Sequence, residues 1–162
     1  ALRFNIEEVP VVGAKAAGVK AMNLKEDDVL QSAFICNTSS FYLLTQRGSL
    51  KRVSIEEIPA TSRAKRGLQV LRELKNKAHR VFLAGAVAEQ GFVGDLFSTE
   101  VEENDQTLLV QSNKGTIYES RLQDLNLSER TSNGSFISDT ISDEEVFDAY
   151  LQEVYTELGS NK

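Results

Sequence analysis

Short runs of apolar residues alternate with polar ones along most of this chain, and turn residues separate the runs. The clearest run is 41–53, FYLLTQRGSLKRV: an apolar stretch, Arg47-Gly48, then a stretch that alternates. The segment 107–120, TLLVQSNKGTIYES, repeats the plan with Asn113-Lys114-Gly115 between strands 107–111 and 116–120. β-branched and aromatic runs bounded by a glycine turn predict β-hairpins. Further strands are predicted at 1–6, 18–24, 29–36, 67–74, 80–87 and 134–138, and 92–98 reads as a short extra strand or part of an insertion spanning 88–105. The period changes only at 142–158, SDEEVFDAYLQEVYTEL. There Val146, Tyr150, Val154 and Leu158 recur at helical spacing, with Phe147, Leu151 and Tyr155 beside them. Ser142 and Glu145 form a capping box and Gly159 a stop, so this stretch predicts a short C-terminal α-helix.

The strands belong to a repeat. Arg52 to Val70 reads RVSIEEIPATSRAKRGLQV, and Arg3 to Ala21 reads RFNIEEVPVVGAKAAGVKA. Arg3, Ile6, Glu7, Glu8, Pro10 and Gly18 fall on Arg52, Ile55, Glu56, Glu57, Pro59 and Gly67 without a gap. Glu119 to Ile137 is a looser copy, where Leu122, Asp124, Leu125, Gly134 and Ile137 fall on Ile55, Glu57, Ile58, Gly67 and Val70. A fixed self-similar period predicts stacked supersecondary units, and about four strands per unit is a propeller-like spacing. The division expected is 1–17, the end of a truncated blade; 18–66, a blade; 67–138, a blade with an insertion and a closing strand; and 139–162, an acidic tail with the amphipathic helix. Ala1 takes the position of Leu50, so no hairpin precedes it, and the chain reads as a fragment of a longer protein.

Composition changes this picture little. With 162 residues, 41% hydrophobic and 26% charged, the chain suits a globular fold, and no run of about 18 apolar residues could span a membrane as a helix. A signal-peptide pattern is absent from the first residues. A single cysteine, Cys36, excludes an intramolecular disulfide and suits a reducing compartment; inside the strand 29–36 it reads as a small buried hydrophobe. Charge is more informative. Residues 1–90 hold 14 Lys and Arg against 9 Asp and Glu, a net of +5, and residues 91–162 hold 4 against 15, a net of −11. A basic surface followed by an acidic one is expected.

The basic residues crowd into one loop and its neighbours. Arg63, Lys65, Arg66, Arg72, Lys75, Lys77 and Arg80 have only Glu73 opposing them; Arg47, Lys51 and Arg52 belong to the same unit's hairpin, and Lys15, Lys20 and Lys25 sit at matching places one unit earlier. Repeated units place repeated cations along one rim, which is the arrangement a phosphate backbone binds by releasing counterions. The bland alternative is a solvated charged face. No aromatics interleave for base stacking, so duplex DNA fits better than single strands. Glu7-Glu8 and Glu56-Glu57 recur in register and read as turn or cap residues, and His79 reads as structural. With no Cys/His/Asp cluster, no phosphate loop at 13–18 or 91–94, and no nucleophile paired with a base, neither a metal site nor a catalytic residue is expected.

The units GVKAMNL, SAFICN and FYLLTQRGSLKRVSIEEIP, over roughly residues 1–138, resemble a blade of the C-terminal β-pinwheel of type IIA bacterial topoisomerases. Within that family the chain is more similar to the A subunit of topoisomerase IV than to the A subunit of gyrase. The loop SRAKRG at 62–67 departs from the glycine- and arginine-rich box by which gyrase wraps DNA. The resemblance implies a mainly β fold, a partial pinwheel of about two and a half four-stranded blades that exchange strands, whose outer rim holds or bends duplex DNA. It implies ATP-dependent strand passage, in decatenation and supercoil relaxation, by other domains of a cytoplasmic, DNA-associated heterotetramer with the ATPase subunit, with peripheral association at the inner face of the membrane. ATP and Mg would serve that parent enzyme and no cofactor this segment; a small-molecule substrate is not expected. An acidic segment such as 139–162 would compete with DNA. A gyrase wrapping domain and a protein-interaction propeller are the alternatives, and an unpaired blade edge predicts self-association or cover by the terminal helix.

Overall fold

The computed structural model describes residues 1–88 and 103–156. The proposed short strand at 92–98 and the Gly159 stop lie outside the described residues. The strands are β1 (Ser40–Thr45), β2 (Ser49–Ser54), β3 (Val81–Val87), β4 (Glu103–Ser112), β5 (Ile117–Arg121), β6 (Ser135–Phe136) and β7 (Val146–Thr156). They form two antiparallel sheets, one in the order β3-β1-β2-β6 and one in the order β5-β4-β7. Both predicted hairpins are present, β1–β2 and β4–β5. The first sheet takes strands from both sides of position 66, and β6 of the third copy closes on β2 of the second.

Strand alternation explains the layers. In β1–β2, Tyr42, Leu44 and Leu50 point to one face and join Val87, Leu108, Val110, Leu122, Ile141 and Val146 in a core between the two sheets. Phe41 and Val53, paired across the ladder, point to the other face and pack with Ile58, Ile55 and Val70. The hairpin is thus covered on both sides, which is why β1 is buried along its whole length.

The repeat is physical. Asn5 and Ser54 cap matching 3₁₀ turns, Ile6–Glu8 and Ile55–Glu57, by accepting from the N–H groups of Glu7 and Glu56. The closing bond recurs in all three copies: Val9 N–H to Ile6 O (2.9 Å), Ile58 to Ile55 (3.1 Å) and Leu125 to Leu122 (3.3 Å). Gly18, Gly67 and Gly134 all have positive φ, at 81°, 85° and 74°, a region costly for any side chain. Their alignment in the sequence therefore marks the same backbone bend.

Four predicted strands are absent. Residues 1–6, 18–24, 29–36 and 67–74 contain no ladder strand. A strand needs a partner, and β3 and β7 obtain theirs from the hairpin strands β1 and β4. The segment SAFIC at 32–36 corresponds to RVFLA at 80–84, yet it pairs with no hairpin strand among the described residues. It rests instead against the outer edge of β3, where Gln31 donates to Phe82 O (2.9 Å) and Ser32 Oγ accepts from Ala84 N–H (3.0 Å). Cys36 is consequently exposed rather than buried. At 67–74 the bridge to the preceding unit shrinks to one position, Leu68, bonded both ways to Ala1.

The predicted C-terminal helix is also corrected. Thr140–Asp143 is a 3₁₀ turn, and Val146–Thr156 is a strand paired with β4 along its length. Ser142 caps no helix; its hydroxyl donates to Asp139 O. The turn inserts Ile141, fully buried, against Gly48, where an added Cβ would lie 2.4 Å from its Cδ1. The misleading spacing has a cause. Gln111 pairs with Asp148 and Ser112 with Val146, so Phe147 is bulged out and resets the parity: Val146 points inward before the bulge, Ala149 and Leu151 after it. β3 carries the same irregularity at Phe82, between Leu44 and Thr45 of its partner. VFLA at 81–84 and VFDA at 146–149 are therefore equivalent, and 140–156 is built into the fold rather than being an acidic tail. The open edge of β4 is covered, by a strand.

Strand and helix make opposite demands on adjacent residues. Leu151→Asp places a charge against the core and should lower unfolding free energy by about 2 kcal/mol or more, whereas Tyr150→Asp, at a residue 55% exposed, should change it by less than about 0.5 kcal/mol. Urea denaturation of both variants checks this; a larger loss at Tyr150 would restore the helical stripe.

Candidate nucleic-acid interface

The basic segment 63–80 runs the length of the β1–β2 hairpin. At its start, Arg63 N–H donates to Glu8 Oε2 (2.8 Å), and two residues earlier Thr61 N–H donates to the carbonyl of Arg3 (2.9 Å), whose guanidinium reaches Ile55 O and Ile58 O (3.3 Å each) at the open end of the hairpin. Midway, Val70 O accepts from Lys51 in β2 (2.6 Å). At its end, Gln46 and Arg47 of the hairpin turn bond Ala78 O (2.9 Å), Lys77 O (3.1 Å) and Arg80. The backbone that carries these cations thus passes from one end of the hairpin to the other.

Not every expected DNA contact faces outward. Lys51 is only 2% exposed, so its assignment to a DNA-facing rim is corrected. It shares a hairpin face with Val53, and its ammonium donates to three backbone carbonyls, Val70 O (2.6 Å), Arg130 O (2.7 Å) and Ser132 O (2.7 Å). Burial lowers its pKa from 10.5 to about 8; the Glu57 carboxylate pulls it up, and Arg130 pulls it down. Arg52 is half-buried, donating to Ser40 Oγ (2.8 Å) and Gln123 O (3.5 Å). Arg63 is likewise committed, its guanidinium donating to Glu8 O (3.3 Å) and Lys20 O.

These commitments repeat one unit on. Arg130, which the repeat aligns with Arg63, donates its N–H to Glu57 Oε2 (2.6 Å) and its guanidinium to Gln69 O, as Arg63 does to Glu8 and Lys20. Ser128 N–H bonds Arg52 O (2.8 Å) as Thr61 N–H bonds Arg3 O (2.9 Å). The acidic pairs thus serve the joints between units, as turn residues whose second carboxylate receives the next unit's amide. Sequence reasoning missed Arg130, although the third copy of the repeat places it directly on Arg63.

The remaining expected residues are exposed: Lys15, Lys20, Lys65, Arg66, Arg72, Lys75, Lys77 and Arg80. Lys20 Nζ bonds Asn23 Oδ1 (2.8 Å); the side chains of the others make no hydrogen bond or ion pair with the described residues. Arg47, half-buried, lies with its guanidinium 5.5 Å from the Phe136 ring centre and Nη1 3.2 Å from His79 Nε2. Because guanidinium only donates, Nε2 accepts, and the imidazole proton sits on Nδ1, directed at Thr45 Oγ1 (3.1 Å). Burial and the Arg47 charge hold the His79 pKa below its usual value, so the ring is neutral at pH 7. Among the described residues no group of His, Cys, Asp and Glu could hold a metal ion.

Comparison with known proteins agrees with this architecture. The family described as "DNA gyrase C-terminal domain, beta-propeller" matches residues 1–37 and 40–85. The A subunit of DNA topoisomerase 4 from Streptococcus pneumoniae serotype 4 is 96% identical over 157 residues, covering 97% of this chain and 19% of that protein. Its counterpart in Streptococcus pyogenes serotype M6 is 61% identical over 150 residues, covering 90% and 18%. The chain therefore spans about a fifth of the length of these relatives. The crystal structure of the C-terminal domain of DNA topoisomerase IV superposes with a TM-score of 0.73 at 36% identity, over 93% of this chain and 42% of that one. The C-terminal domain of DNA gyrase A gives 0.66 at 19% identity, over 90% and 45%, a likeness of fold.

The buried ammonium makes stability depend on alkaline pH. With a folded pKa near 8, below the unfolded 10.5, the native state binds this proton less tightly than the unfolded chain, so stability rises as pH climbs between those values, by at most about 1.4 kcal/mol per unit. Lys51→Met leaves three carbonyls without donors and should cost about 2 kcal/mol at pH 7. The gap to the wild type should then widen between pH 8 and 10; urea titrations showing a constant gap would refute the buried-charge assignment.

Proposed function

The chain belongs to the DNA gyrase C-terminal domain, beta-propeller family, and from that premise we propose that it holds duplex DNA for a type II topoisomerase A subunit of the topoisomerase IV kind. The observation that carries the reading is the segment 63–80. Its exposed cations Lys65, Arg66, Arg72, Lys75, Lys77 and Arg80 follow one side of a hairpin and have Glu73 as the one acid among them. A duplex laid along that line would exchange condensed counterions for these side chains without reading base edges. Backbone holding of this type suits a segment that presents DNA to a cutting site elsewhere. Strand cleavage, ATP hydrolysis and the partner ATPase subunit belong in this proposal to the rest of a cytoplasmic holoenzyme. None of Tyr42, Tyr118 or Tyr150 is assigned a role in cleavage.

A protein-binding disc is the second reading, favoured by the side chain of Phe147, 70% exposed on the sheet formed by the net-negative part of the chain. DNA affinity that is nil at low salt would support it.

The duplex reading is tested by binding isotherms between 50 and 300 mM salt. Lys65→Gln with Arg66→Gln should flatten the log–log slope by about 0.9 per lost contact and leave the melting temperature nearly unchanged. Arg63→Gln should do the reverse, lowering stability by about 1–2 kcal/mol through the joint to Glu8 and Lys20 with little change in slope. An unchanged slope in the double variant would remove the 65–66 pair from the interface.

A further inference from the structure

The two hairpin turns occupy equivalent places in consecutive copies of the repeat, and each presents one cation: Arg47 before Gly48 and Lys114 before Gly115. What faces each cation comes from the stretch just before the next strand. Gln46 N–H bonds Arg80 O (3.0 Å), and Asn113 N–H bonds Glu145 O (2.8 Å), so the preceding residues, His79 and Glu144, are also equivalent. Their chemistry is opposite. Arg47 is steadied by a neutral imidazole, by Lys77 O and by the face of Phe136, with no carboxylate bonded to it; its Nε and Nη2 make no bond to the described residues. Lys114 Nζ lies 3.6 Å from Glu144 Oε1. That carboxylate has only 8% of its side chain exposed and also accepts from the Tyr118 hydroxyl (3.3 Å), which holds it beside a lysine side chain that is itself 60% exposed.

We propose that the residue facing each turn cation decides whether the turn contacts DNA: His79 orients Arg47 as an open phosphate anchor, and Glu144 cancels Lys114, so that the duplex passes over the first turn and not the second. The proposal rests on the duplex-holding reading and refines it to a boundary of the footprint. Physically, an arginine with free donors and full charge offers a phosphate a two-point contact. A lysine already facing a carboxylate gains little from a phosphate, because that anion must be displaced or must repel it. His79 is accordingly a positioning residue. It holds a guanidinium by accepting from it, and it adds no charge of its own.

The exchange of the two partners is the test. Salt dependence of duplex binding is measured on the whole chain for the wild type, Glu144→Gln, His79→Glu and His79→Gln, with melting curves for each. Glu144→Gln should open Lys114 and steepen the log–log slope by about 0.9, so that affinity falls about 3.5-fold further than in the wild type between 50 and 200 mM salt. His79→Glu should close Arg47 and flatten the slope by the same amount, and His79→Gln, which can still accept from Arg47, should restore it. If His79→Glu fails to fold, Glu144→Gln decides alone. A steep wild-type slope left unchanged by Glu144→Gln overturns this inference and leaves the duplex reading standing. A wild type that binds without salt dependence, or not at all, removes both.

Discussion

The clasp of Lys51 on three carbonyls is the constraint on which the assembly of this chain depends. Val70 ends the copy of the repeat that this hairpin opens, Arg130 and Ser132 belong to the next copy, and one buried ammonium ties both to the hairpin. Hydrogen bonds from a charged donor contribute about 1.5–3 kcal/mol each when formed, and a buried charge without them would be strongly unfavourable. The arrangement is therefore close to all-or-none: with the carbonyls in place the charge is tolerated, at the cost of a depressed pKa, and with any segment displaced it is not. A nonpolar side chain in its place would pack the hairpin face but could not specify which backbone segments cover it.

The joints around the clasp follow the same rule, with side-chain charges spent on backbone groups more than on one another. Glu8 and Glu57 receive amides and Arg3, Arg63 and Arg130 donate to carbonyls, whereas Lys114 and Arg121 form ion pairs. Exposed ion pairs contribute about 0–1 kcal/mol and little geometry, whereas a guanidinium bonded to a carbonyl of the neighbouring unit fixes both register and distance. Because each joint repeats with the repeat, β6 of one copy arrives on β2 of another in the same way that Leu68 arrives on Ala1.

Much of this was legible in the sequence, and the failures have definite causes. The three glycines at 18, 67 and 134 were readable because a left-handed bend admits few other residues. Both hairpins were readable for a similar reason. The terminal strand was not, because the bulge at Phe147 breaks a period of two into a spacing that mimics a helix; only the likeness of VFDA to VFLA carried the correct signal. The strands at 18–24 and 29–36 failed because strand propensity says nothing about whether a partner is at hand. Among the basic residues, charge alone could not separate those that hold carbonyls from those that face solvent. Parity could have helped. Lys51 shares its face with Val53 in a hairpin apolar on both sides, and that marks it as inward.

The third unit shows what happens when the same positions carry different chemistry. Tyr118 stands in the third copy where Lys51 stands in the second, and its hydroxyl bonds Thr140 Oγ1 (3.0 Å) and Glu144 within its own unit, whereas Lys51 reaches forward into the next. Lys114 stands where Arg47 stands and is met by an acid instead of an imidazole. At the hairpin turns the backbone bonds are the same in both units, Gln46 N–H to Arg80 O and Asn113 N–H to Glu145 O, while the partner of the turn cation is a neutral imidazole in one and a carboxylate in the other, so the turn does not require either charge pattern. The basic character of one unit and the acidic character of the other are thus properties of the surface laid over a common scaffold, and they set where a polyanion can lie without altering how the units stack.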